Sequence, residues 1–122
     1  MKYFIALIIA GFISGAYAEA VKSSFPSDFK GVWDANPEQC LKRFSTARVT
    51  ISDNIIEYWE STGEISKVIY QTESSIKVNL AMSGEEERWS VISIFILTEQ
   101  DILVDVFENG QAFSRVRCGN ET

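Results

Sequence analysis

The feature that most constrains the fold is a run of short alternating segments over residues 46–118, separated by brief turn signals. Between residues 76 and 82 every second side chain is apolar, from Ile76 to Met82. Side chains of a strand point alternately to its two faces, so this pattern indicates a strand with one buried face. Turn signals such as Asp53-Asn54 and Glu108-Asn109-Gly110 join segments of this kind. The chain therefore favours a β fold.

Counting these segments, with a first strand at residues 29–33, predicts about eight strands. Short turns force neighbouring strands to be antiparallel, and eight such strands remove their edges by closing into an up-and-down barrel. A β-sandwich is the alternative. After the first strand, Asn36 and Pro37 predict a short helix through about Arg43, which would turn Cys40, Leu41 and Phe44 towards the core.

The first 18 residues have the pattern of a cleaved export signal. Lys2 precedes an apolar run that is shorter than the roughly 20 residues of a spanning helix. Ala16-x-Ala18 then matches a signal-peptidase site, which places cleavage before Glu19. We therefore expect a signal peptide at residues 1–18 and one β-barrel domain at residues 19–122, periplasmic or secreted and without a stable membrane anchor.

Two cysteines remain after that cleavage, Cys40 and Cys118. An even cysteine count in an exported chain predicts a disulfide bond. The chain is also acidic, with 17 Asp and Glu residues against 11 Lys and Arg residues. Acidity of this kind disfavours nucleic acid and anionic membranes as partners and permits a cationic protein.

Few catalytic chemistries are open to this sequence. It contains no histidine, which excludes histidine-based triads and the usual zinc sites. Carboxylate pairs remain, namely Glu57 with Glu60 or Asp101 with Asp105, but surface charge is the default interpretation of such residues. The acidic run at residues 85–87 lacks the ligand spacing of a calcium loop. The sequence predicts no cofactor, no metal site and no enzyme.

Aromatic side chains in the predicted strands either line a ligand pocket or fill a small barrel, and we favour filling. Tyr58 and Trp59 are adjacent in a strand, so they point to opposite faces and one of them lies outside. With Glu60 and with Trp89, they are the candidate contacts for a ligand or a partner.

The first and last predicted strands carry a recognisable pattern. Gly31-x-Trp33, preceded by Phe29, resembles the opening of calycin barrels, the superfamily of lipocalins, fatty-acid-binding proteins, avidins and a bacterial metalloprotease-inhibitor family. The resemblance implies that a late arginine, Arg115 or Arg117, packs over the Trp33 ring at the closed end. Guanidinium groups stack on indole rings and satisfy nearby carbonyl groups.

A likeness over nearly the whole predicted domain points to small periplasmic proteins of proteobacteria with no assigned activity. It is carried by five segments: Gly31-x-Trp33, residues 36–40, residues 58–61, residues 84–89 and residues 115–118. This likeness supports the compartment and the Cys40–Cys118 bridge, and it implies no activity.

The sequence therefore supports a non-catalytic periplasmic barrel that acts as a binding or inhibitor-like module. Its partner would be a cationic periplasmic protein. The alternative is a carrier of a small apolar ligand in a lipocalin-like barrel, which requires a cavity. A carboxylate-based enzyme is a third hypothesis, marked by inward-facing acidic residues with raised pKa values.

Overall fold

Eight antiparallel strands follow each other around a closed barrel, and the last strand pairs with the first. The computed structural model describes residues 23–119, so the predicted signal peptide lies outside the described residues. The predicted all-β barrel is confirmed, and the closure of β8 onto β1 excludes the sandwich. The strands are β1 Gly31–Asp34, β2 Val49–Ile51, β3 Ile55–Glu57, β4 Thr62–Gln71, β5 Ser75–Gly84, β6 Glu87–Leu97, β7 Ile102–Val106 and β8 Ala112–Arg117.

One end of the barrel is filled and capped by the chain that precedes β1. A 3-10 turn, Ser27–Phe29, replaces the predicted start of the first strand and folds Phe29 under the barrel. Phe25 meets Phe95 edge to face, with 5.6 Å between ring centroids. The remaining core is aliphatic apart from Trp33 and consists of Trp33, Val49, Ile51, Ile56, Ile65, Ile76, Val78, Leu80, Met82 and Leu103.

The two candidate arginines of the last strand have different environments. Arg117 lies over the indole of Trp33, with 4.3 Å between its Cζ atom and the ring centroid. Its guanidinium donates to the carbonyl oxygens of Asp28 and Lys30 and to the carboxylate of Asp101. It therefore ties the capping turn to the barrel, as expected of a guanidinium that meets several oxygen atoms. Arg115 points into the barrel two residues earlier on the same face.

The connection from β1 to β2 contains the predicted helix in shortened form, α1 Pro37–Cys40, whose N-cap Asn36 accepts a hydrogen bond from the Gln39 backbone N–H group. The prediction that Leu41 and Phe44 face the core is wrong, because Leu41 is 87% exposed and Phe44 is 68% exposed. The helix ends at Cys40, one turn too early to bring either side chain back to the barrel.

The predicted disulfide bond joins Cys40 to Cys118 across 5.4 Å between Cα atoms. It fixes α1 to the residue that follows β8 and so holds the β1–β2 connection against the barrel wall. None of the described helices is long and apolar enough to cross a membrane.

Candidate functional site at the open end of the barrel

The end of the barrel opposite the capping turn is open. We call it the mouth, and it is bordered by the turns at residues 58–61, 85–86 and 107–111 and by the end of the β1–β2 connection. Inward-facing residues of β6 become progressively more exposed towards it. Phe95 is fully buried, Ser93 is 3% exposed, Val91 is half-buried and Trp89 is 42% exposed. Filling, which the sequence favours for the whole barrel, therefore holds only for the closed half.

A cavity of about 650 Å³ occupies the mouth, a volume within the range of small-molecule sites. More of its wall is apolar than polar. The apolar and aromatic lining residues are Tyr58, Trp59, Met82, Val91, Ile92 and Phe107. The polar and charged lining residues are Thr46, Glu60, Ser61, Ser93, Glu108, Asn109 and Arg115.

In the wall of the mouth, β6 and β7 form hydrogen-bonded pairs over only part of their length. Pairing between β5 and β6 covers the hairpin from Ser75 to Ile96, but β7 pairs with β6 only from Ile94 to Leu97. Phe107 and Glu108 stand beside this seam and line both the main cavity and a smaller cleft of about 290 Å³. Along this seam the described β6 residues from Glu87 to Ser93 have no registered partner in β7.

Three polar groups meet at the floor of the mouth. Arg115 Nη1 lies 3.3 Å from Asp105 Oδ2, and the Tyr58 hydroxyl lies 3.5 Å from the same oxygen. Arg115 Nε also donates to the carbonyl oxygen of Ala47 at 2.6 Å, and its guanidinium stands 4.6 Å from the ring centroid of Phe113. The side chains of Asp105 and Arg115 are almost completely removed from solvent.

Burial raises the pKa of Asp105 to about 6, because the ionised carboxylate loses its hydration, although Arg115 and Tyr58 oppose that shift. Burial, with the nearby Asp105 charge, also raises the pKa of the Tyr58 hydroxyl, which is therefore neutral at physiological pH. Asp105 Oδ1 is buried without a hydrogen-bond partner among the described residues. An unmet acceptor of this kind is uncommon in a folded protein.

All four predicted contact residues lie at the mouth, and three of them line its cavity. The prediction that Tyr58 and Trp59 are neighbours within a strand is wrong, because β3 ends at Glu57 and both residues lie in the turn that follows it. Tyr58 is half-buried and Trp59 is 47% exposed, yet both line the cavity. Trp59 and Glu60 line the cavity. Trp89 lies outside it, in a neighbouring cleft that it shares with Glu60.

Of the carboxylate pairs proposed from the sequence, Asp101 and Asp105 are separated. Asp101 pairs with Arg117 at the closed end, whereas Asp105 pairs with Arg115 inside the barrel. The interpretation of Asp105 as a solvated surface charge is wrong, because its side chain is fully buried. Glu57 and Glu60 are both exposed, in agreement with a surface role for them.

Sequence reasoning missed the floor as a unit, although a signal for it exists. The hairpin turn at residues 107–111 sets the register of β7 and β8, in which Leu103 lies opposite Arg115 and Asp105 opposite Phe113. Leu103 and Asp105 share a face, so Arg115 must lie on that face as a diagonal neighbour of Asp105. Tyr58 carries no such local signal because barrel closure alone brings it to the floor.

Comparison of the chain with protein-family models, with curated proteins and with solved structures found no match to any of them.

Proposed function

We propose that this chain is an exported, non-catalytic binding module that takes a small ligand with a mostly apolar body into the mouth of its barrel. The observation that carries the proposal is the cavity of about 650 Å³, whose wall is mainly apolar. Small-molecule sites have this character, an apolar wall with a few placed polar groups. The polar floor formed by Arg115 and Tyr58 would orient the ligand.

A neutral fluorescent probe, N-phenylnaphthylamine, tests the proposal directly. We expect a saturable rise in its fluorescence with one probe per protein, because the probe leaves water for an apolar wall. Val91→Trp should lower its affinity at least about tenfold, since the larger side chain occupies the cavity that Val91 lines.

The matched control is Ile69→Trp, which adds the same ring to an exposed position of β4 outside the cavity. It should leave the affinity for the probe unchanged. Absence of saturable binding by the unaltered protein, or equal binding by the two tryptophan variants, would refute the proposal. Circular dichroism of each variant shows whether the barrel is retained.

A second candidate function is the binding of a cationic protein, and an exposed aromatic patch favours it. Phe44 and Trp59 meet edge to face with 6.2 Å between ring centroids, and both are exposed. One small cleft beside this patch is lined by Glu57 together with Arg43 and Arg48, so the patch itself carries charges of both signs. Exposed aromatic groups suit a protein interface, and the excess of acidic over basic residues in the whole chain favours a basic partner.

Co-purification from the exporting compartment tests this second function. A stoichiometric basic protein should accompany the unaltered chain and be lost from the Phe44→Ser/Trp59→Ser double variant. Ile69→Ser, which removes an exposed apolar side chain elsewhere, should retain it. Recovery of no partner by the unaltered chain would count against a docking role for the patch.

A further inference from the structure

The floor of the mouth presents a cation to any molecule that enters. Arg115 lines the cavity although only 6% of its surface is exposed. Its Nε atom donates a hydrogen bond to the carbonyl oxygen of Ala47, and its Nη1 atom donates one to Asp105 Oδ2. No described residue accepts a hydrogen bond from Nη2. A guanidinium with a spare N–H edge at the base of an apolar cavity suits the oxygen atoms of an acidic head group.

The carboxylate that faces this guanidinium is poorly held. Its one contact with Arg115 is a single 3.3 Å approach, longer than a typical charge-assisted hydrogen bond. Its Oδ1 atom accepts no hydrogen bond from any residue between 23 and 119. The raised pKa of Asp105 agrees with this geometry, because the protein does little to stabilise the ionised form. Asp105 can therefore become neutral at modest cost, which would leave Arg115 as an uncompensated cation.

Few charges surround this pair. Arg115 on β8 and Tyr58 at the end of β3 are the titratable groups that act on Asp105. On the other side of β7, Phe95 lies opposite Asp105, and Ser93 follows on the same inward face of β6. No described residue of β6 places a charge against Asp105, so its protonation depends on Arg115, Tyr58 and whatever occupies the mouth.

We propose that the mouth binds a single-chain anionic amphiphile, whose head group pairs with Arg115 while Asp105 takes up a proton. The inference rests on the proposed function, because it names the ligand of the same cavity. An anion placed beside an ionised Asp105 would put two negative charges against one buried guanidinium. Like charges at such a site cannot both persist, so the carboxylate is neutralised.

The rim of the mouth carries negative charges, which repel an approaching anion. Glu60 and Glu108 line the cavity, but both are exposed to solvent. Water and salt screen charges at such positions within about 10 Å at moderate ionic strength, whereas the buried guanidinium is screened much less. The rim therefore slows the approach of an anion at low salt, and the floor decides how tightly the head group is held.

Isothermal titration calorimetry with decanesulfonate tests the inference, because the sulfonate remains ionised throughout the titration range. Repeating the titration at about pH 7 in two buffers of different ionisation enthalpy measures proton uptake. We expect close to one proton per bound sulfonate and an affinity that falls up to about tenfold from pH 7 to pH 8. Decanol, the neutral analogue, should bind at least about tenfold more weakly and without proton uptake.

The variant Asp105→Asn tests whether Asp105 is the group that takes up the proton. This variant should still bind the sulfonate, with little pH dependence and no proton uptake, because an amide cannot titrate. Glu73→Gln, which neutralises an exposed carboxylate in the β4–β5 turn at the closed end, should behave as the unaltered protein does. The measurements on the unaltered protein decide the matter even where a substitution in the buried floor prevents folding.

The outcomes separate the two proposals. If decanol binds and decanesulfonate binds no more tightly, or binds without proton uptake, the inference is wrong and the binding function stands. Tighter binding of decylammonium than of decanesulfonate would also overturn the inference, because the floor would then select a cation. If none of the three probes binds but N-phenylnaphthylamine does, the inference is wrong and the binding function stands. If N-phenylnaphthylamine also fails to bind, both proposals are wrong.

Discussion

At the scale of single residues, Asp105 shows how burial converts an ordinary carboxylate into a group that titrates near neutrality. Its side chain is fully buried, its contact with Arg115 is long, and one of its oxygens has no hydrogen-bond partner in the described part of the chain. Burial raises the pKa of the carboxyl group to about 6, because the contacts with Arg115 and Tyr58 only partly offset the lost hydration of the ionised form. Ionisation of this buried carboxylate is unfavourable in the folded state, and the effect should be visible in the pH dependence of stability.

We expect the free energy of unfolding to decrease as pH rises from about 4 to about 6 because of this group. The folded protein holds the Asp105 proton up to a pKa of about 6, whereas the unfolded chain releases it near 3.8. The folded state therefore binds more protons in that window, and its stability falls by about 3 kcal/mol as pH rises through it. Urea unfolding at a series of pH values measures the effect.

Asp105→Asn supplies the comparison for this prediction. Its unfolding free energy should lack the decrease between pH 4 and pH 6, apart from an offset that is constant with pH. Glu73→Gln, an exposed carboxylate at the other end of the barrel, should follow the unaltered protein. Parallel profiles for the unaltered protein and Asp105→Asn would contradict the assignment.

At the scale of elements, the β1–β2 connection depends on one guanidinium. Arg48 pairs with the fully buried Asp34 at 3.0 Å and donates to the carbonyl oxygens of Gln39 and Lys42, each at 2.7 Å. The carbonyl groups at the end of a helix have no partner within it, so a side chain that meets them stabilises the end. The connection is thereby held in the position that presents Phe44 to Trp59.

We expect Arg48→Gln to loosen this connection and to lower the free energy of unfolding by about 3 kcal/mol. The substitution leaves the Asp34 carboxylate buried without its cation, which is the costly way to break an ion pair. Hydrogen exchange of the backbone amides at residues 37–45 should accelerate. Arg43→Gln, which alters an exposed arginine of the same segment, should change neither quantity appreciably. Unchanged exchange in Arg48→Gln would show that the disulfide bond alone fixes the connection.

At the scale of the whole molecule, the barrel closes twice, once through hydrogen bonds between β1 and β8 and once through the Cys40–Cys118 bond. The β1–β8 ladder is short, with two registered residue pairs. The disulfide bond spans a sequence separation of 78 residues, so it removes much conformational freedom from the unfolded chain. Closure between β1 and β8 therefore depends on the covalent bond as well as on strand pairing.

Replacing both cysteines by serine should lower the free energy of unfolding by about 4 kcal/mol on the chain-entropy account. Urea unfolding of the double variant and of the reduced native chain should give similar values, since each removes the same constraint. The Trp33 environment, monitored by fluorescence, should persist in the folded double variant because Arg117 still covers it. A loss of less than about 1 kcal/mol would show that strand pairing alone closes the barrel between β1 and β8.

Much of the architecture could be predicted from local patterns. Alternation from Ile76 to Met82 matches the inward face of β5, and the turn at Glu108-Asn109-Gly110 joins β7 to β8 as expected. These signals are local because a strand's two faces and a tight turn are properties of a few consecutive residues. The choice between Arg115 and Arg117 was left open, since both lie on one face and differ only in depth along the barrel.

The sequence by itself determined that this chain forms about eight antiparallel strands, enough to close a barrel. It also predicted a disulfide bond between Cys40 and Cys118. The strands follow from side-chain alternation and turn residues, which are local properties of the chain. The disulfide bond follows from the even number of cysteines. Tertiary structure decided that one end is filled and the other open, and that Tyr58 joins the hairpin neighbours Asp105 and Arg115 at the floor. Such meetings depend on barrel closure, which sets residues 47 positions apart against each other, and no local pattern encodes that distance.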